Sequence, residues 1–136
     1  MDPNRLTEIP IFSELSPEEA NRLATFATET SAADGQMLMK EGDYSVELIA
    51  IEEGTADVIQ GGETVASLGP GDLIGEMGLL ERRPRNADVI ATSPMRLMKL
   101  THWEIRRMSD DTVNRIKATI EKRRQSGLAE SGHNTD

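Results

Sequence analysis

The chain has 136 residues, no cysteine and a formal net charge of -9, with 24 acidic against 15 basic residues. That length suits one domain whose core holds without disulfides or a structural metal, and the missing thiols exclude disulfides, thiolate metal sites and cysteine nucleophiles. The acidic balance speaks against nucleic acid and anionic membrane surfaces as partners. Residues 1–5 carry no apolar signal core and no run approaches a membrane span, so a soluble, cytoplasmic protein is expected.

In chain order, Ile9, Ile11, Phe12 and Leu15 form a compact apolar group ahead of the first predicted helix. Ser16-Pro17-Glu18-Glu19 is a helix start: Ser16 caps free amides, Pro17 suits the first turn and Glu19 closes a capping box. Ala20, Leu23, Ala24 and Ala27 follow at helical spacing on one apolar face. From Asp34 to Leu100 the texture changes to short runs, at 36–40, 47–52, 55–60, 63–68, 87–92 and 96–100, separated by turn formers. Gly61-Gly62 is a two-residue hairpin connection, because both positions tolerate positive φ. Evenly spaced short strands of this kind predict an antiparallel sandwich or barrel. Beyond Leu100 helix returns, and Val113, Ile116 and Ile120 form an apolar stripe flanked by Arg115, Lys117, Lys122 and Arg123. Such an amphipathic helix suits the mouth of a barrel. Residues 1–125 are read as a single domain, and the small, polar stretch 126–136 as a disordered tail.

The chemistry concentrates in residues 71–87. Gly75 lets backbone approach a ligand closely, and the amides of Gly75, Glu76, Met77 and Gly78 can fan out toward an anion. The Glu76 carboxylate can accept a ribose hydroxyl. Nine positions later Arg85 follows Pro84, and its planar guanidinium matches phosphate oxygens. An acid and an arginine at the two ends of one loop suit a sugar phosphate.

Gly75-Glu76, Leu79-Leu80, Pro84-Arg85, Asn86 and Ala87 resemble the phosphate-binding cassette of cyclic-nucleotide-binding domains, the family of the catabolite activator proteins and the protein kinase A regulatory subunits. Phe12 and Leu15, the Lys40-Glu41-Gly42-Asp43 run and Gly69-Pro70-Gly71-Asp72 agree with the wider layout, so the likeness covers about residues 9–125. The resemblance implies a mainly β fold with flanking helices: an antiparallel β-roll or jelly-roll barrel, with an N-terminal helix and C-terminal lid helices. It implies that Arg85 pairs with the cyclic phosphate and Glu76 with the ribose 2′-OH, while amides near Gly75, Gly78, Asn86 and Ala87 complete the cradle. The implied ligand is cAMP, with cGMP as the other candidate. Asn86 stands where kinase-type cAMP binders tend to have Ala and cGMP binders Thr or Ser. The lone tryptophan, Trp103, precedes the last helix, so Ile116, Ile120 or Arg123 is expected over the base instead of an aromatic ring.

No catalytic residue, metal or cofactor is implied, and the expected role is a regulatory sensor that shifts its C-terminal helix on binding. Output would run through an unidentified protein effector, because the chain carries no kinase, channel or helix-turn-helix segment. The start at Met1 leans toward a stand-alone protein over an excised domain. The C-terminal stripe could also pair two copies as a homodimer. A degenerate domain of the same fold that only contacts proteins is the alternative. A metal-binding barrel enzyme fails for lack of ligands, since His102 and His133 are the only histidines. His102 reads as a partly exposed structural residue, and Met37, Met39, Met77, Met95 and Met98 as core filling.

Overall fold

The computed structural model describes residues 1–43, 47–75, 85 and 87–125. Helix α1 (Pro3–Leu6) and a 3-10 turn (Pro10–Phe12) open the chain, each with proline in its first turn. Helix α2 (Pro17–Phe26) starts on the predicted capping box: Glu19 N donates to Ser16 Oγ at 3.2 Å, and Ser16 N donates to Glu19 Oε1 at 2.9 Å.

Eight strands follow: β1 (Thr28–Ala32), β2 (Met37–Met39), β3 (Glu47–Glu53), β4 (Ala56–Gln60), β5 (Glu63–Leu68), β6 (Leu73–Ile74), β7 (Asp88–Ala91) and β8 (Met95–Thr101). They form two antiparallel four-stranded sheets, ordered β1-β8-β3-β6 and β2-β7-β4-β5. The β4–β5 hairpin turns through Gly61 and Gly62 at φ 61° and 81°, with Gln60 opposite Glu63, as the glycine pair predicts. Helices α3 (His102–Arg106) and α4 (Asp110–Gln125) close the described chain.

Two cores result, and strand periodicity explains them. Along β3, Leu48 and Ala50 point to one face and Ile49 and Ile51 to the other, and all four are buried. Leu73 and Ile74 of β6 divide in the same way, as do Leu100 and Leu97 of β8. Ile49, Ile51, Ile74 and Leu97 meet Met39, Val58, Leu68 and Val89 between the two sheets. Leu48, Ala50, Leu73 and Leu100 instead meet Leu6, Phe12, Leu23, Ile105, Ile116 and Ile120 of the helical layer. The first sheet is therefore covered on both faces.

That arrangement corrects the expected fold class. The fold is mixed α/β, with helix nearly as abundant as strand, and the two sheets do not close into a barrel or jelly roll. Among the described residues β1 and β6 end one sheet and β2 and β5 end the other, with no ladder joining them. The edge strands at the opening are short, three residues in β2 and two in β6, and offer little ladder with which to close it. Helix α4 seats Ile116 and Ile120 in the helical core, on the far side of that sheet from the inter-sheet space. The 126–136 tail lies outside the described residues.

Candidate functional site

The two sheets leave a cavity of about 400 Å³ between them, lined by Met37, Leu38 and Met39 of β2, Lys40, Asp43, Glu47 and Ile49 of β3, Ile74 of β6 and Arg85. Its size falls within the roughly 300–1,000 Å³ of small-molecule sites. Because β2 and β6 are edge strands of different sheets, the cavity lies at one unjoined edge of the stack. Ile49, Ile74, Leu38 and Met39 give it apolar walls, and Arg85 and Lys40 bring cations to a strongly acidic chain.

Arg85 is only 4% exposed. Burying a guanidinium costs several kcal/mol unless partners hold it, and the local backbone is built to fix it. Arg85 N donates to Asp43 O at 2.9 Å, and Gly42 N donates to Arg85 O at 2.7 Å. Two backbone bonds thus clamp Arg85 to the turn after β2, which Gly42 enters at φ 90°. Glu41 N donates to Asp88 Oδ1 at 2.7 Å and ties the same turn to β7. At the guanidinium, Nη2 donates to Glu47 O at 3.5 Å.

Gly75 supports this group from β6. Its φ is +85°, and a Cβ placed there would lie 2.5 Å from Glu47 O and 2.8 Å from Arg85 Nη2. Glycine is therefore required twice, by conformation and by space. His102, at the start of α3, is 2% exposed, and its Nε2 lies 3.2 Å from Gly75 O. The partly exposed histidine expected from sequence is corrected here: it is buried and bonded to the glycine of the site.

Of the residues expected to bind ligand, the structure brings Gly75 and Arg85 together, and buries Ala87 between the sheets where β7 begins. Glu76, Met77, Gly78 and Asn86 lie outside the described residues, as does the side chain of Arg123. Ile116 and Ile120 stand in the helical core, and no α4 residue lines the cavity. Sequence reasoning named Lys40-Glu41-Gly42-Asp43 without giving it a task; its turn clamps Arg85 and supplies two cavity walls. Glu47 was missed, because its carbonyl serves the site and every residue has one. Met39, Met95 and Met98 are buried as expected, whereas Met37 is exposed beside the cavity. No helix among the described residues is long and apolar enough to cross a membrane.

The arrangement offers a desolvated cation facing an apolar slot, which suits an anion carrying a flat apolar group. A sequence profile of the cyclic nucleotide-binding domain matches residues 29–112. A cAMP-dependent protein kinase regulatory subunit from Hypocrea atroviridis is 37% identical over 97 residues, covering 71% of this chain and 21% of that protein. The chain thus spans about a fifth of that relative's length. Among solved structures, a cyclic nucleotide-binding domain from Methylobacillus flagellatus KT superposes with a TM-score of 0.79 at 25% identity, covering 95% of this chain and 81% of that one. The regulatory subunit of a cAMP-independent protein kinase A from Trypanosoma brucei gives 0.75 at 28% identity, covering 88% and 43%. The profile runs from β1 into the start of α4 and takes in every residue that clamps Arg85, and by that match the chain belongs to the cyclic nucleotide-binding domain family.

Proposed function

We propose that this chain is a cAMP sensor. The observation that carries the reading is the buried Arg85, clamped through its backbone and facing the cavity. A cyclic phosphate seated against Arg85 forms charge-assisted hydrogen bonds in a low-dielectric site, where they are about twice as strong as neutral ones. Amides from Gly75 through Gly78 and those of Asn86 and Ala87 complete the cradle, and Glu76 accepts the ribose 2′-OH. The purine lies along the apolar walls of Ile49, Ile74, Leu38 and Met39.

The choice of cAMP over cGMP rests on the name of the curated relative, a cAMP-dependent regulatory subunit; the Trypanosoma brucei relative, called cAMP-independent, shows why the base needs a direct test. Occupancy passes to the C-terminal helices through α3, which continues directly from β8, and from there to a protein effector.

Calorimetric titration with cAMP, cGMP and linear 5′-AMP tests this reading. Saturable binding strongest for cAMP is the expected result. Heat with cGMP alone would reassign the base, and binding of 5′-AMP as tight as cAMP would remove the cyclic phosphate from the recognition.

A further inference from the structure

His102 is one of only two histidines in the chain and sits fully buried at the joint between β8 and α3. Its ring reaches across the sheet to the carbonyl of Gly75, at 3.2 Å from Nε2. A carbonyl only accepts, so Nε2 carries the proton in this bond. Gly75 in turn touches the site from its other side: its Cα faces the Arg85 guanidinium and Glu47 O so closely that no Cβ fits. Gly75 therefore meets the imidazole through its carbonyl and has the Arg85 guanidinium beside its Cα.

Gly75 has no side chain to anchor it and sits at a φ that glycine adopts among many others, so local backbone freedom is high. It directly follows β6, a strand of just two residues that, among the described residues, pairs on one side only, with β3. Ladder hydrogen bonds alone hold this segment weakly, and a buried side-chain bond to its carbonyl fixes the orientation of the peptide plane.

We propose that His102 is a positioning residue for the anion site: its hydrogen bond to the Gly75 carbonyl fixes the backbone beside which the Arg85 guanidinium packs. The proposal deepens the functional reading above, because it takes the surroundings of Arg85 to be the anion cradle.

The test compares His102→Ala with His102→Gln, whose side-chain amide can donate to the same carbonyl. Hydrogen–deuterium exchange of the ligand-free chain reads the peptide spanning Gly75, with the β4–β5 hairpin as an internal control. Exchange around Gly75 should quicken by roughly three- to tenfold in His102→Ala, the equilibrium effect of one hydrogen bond, with the hairpin unchanged and His102→Gln restored toward wild type. Calorimetry with cAMP should show a parallel loss of affinity in the alanine variant and recovery in the glutamine variant. Equal quickening in both variants, or wild-type exchange in His102→Ala, would overturn the proposal. Local quickening in His102→Ala from a chain that takes no cyclic nucleotide would uphold the positioning role and overturn the sensor reading alone.

Discussion

Arg85 and Gly75 form one mechanical unit at the residue scale. Arginine supplies the charge, and glycine supplies the missing volume beside it. Gly75→Ala puts a methyl group where Glu47 O and Arg85 Nη2 already stand, at a φ that costs an L-residue about 1–2 kcal/mol. The expected outcome is a loss of stability in denaturant melts greater than about 1–2 kcal/mol, since the clash with Glu47 O adds to the cost of φ, and about tenfold weaker cAMP binding as the guanidinium is pushed aside. Both residues were legible in the sequence because a Gly-Glu and a Pro-Arg at fixed separation are side-chain signals. The clamp on the Arg85 backbone was not, since Asp43 and Gly42 act through their own amides and carbonyls, which any residue possesses.

The helical layer turns on Glu19 at the scale of elements. The same carboxylate that closes the α2 capping box also receives Arg115 of α4, at 3.0 and 2.8 Å, and the Thr112 hydroxyl. The Thr112 hydroxyl bond, the Ser16 backbone amide and Arg115 together hold the Glu19 carboxyl down to about 2, from an ordinary value of 4.5. A carboxyl held lower in the folded state than in the unfolded one adds stability that is complete above the unfolded value. It is lost as the pH falls from there toward about 2. Melting temperatures of wild type and Glu19→Gln should therefore differ at pH 7 and converge as the pH drops from about 4.5 toward 2. The same layer assigns the α4 stripe. Ile120→Ala should cost about 2–5 kcal/mol of stability, the range for truncating a buried isoleucine, and change cAMP affinity far less than Arg85→Ala does, because it acts only through the helix equilibrium. The stripe was readable from its spacing, but spacing cannot say which surface it covers. Strand β1 was missed because four of its five residues are exposed and show no alternation, and β6 because two residues give no pattern at all.

The whole molecule is a three-layer stack, with helices on one sheet and the cavity between that sheet and the second. Turn glycines marked most of the strands in the sequence, and Gly61-Gly62 marked its hairpin in full. Closure was not legible, because a run of buried residues such as Leu48–Ile51 reads alike in a barrel wall and in a sheet covered on both faces. Here the helices take the outer face, the sheets stay unjoined beside β2 and β6, and that opening holds the one described arginine that lines the cavity. A net charge of -9 repels polyanions at long range, so in the proposed function Arg85 acts at close range on a ligand small enough to enter.

The most direct test of this account is calorimetric titration of wild type and Arg85→Ala with cAMP. Wild type should bind saturably, and the variant should lose roughly 2–5 kcal/mol, as for removal of a buried charge partner. Near-native cAMP affinity in a folded Arg85→Ala chain would contradict it.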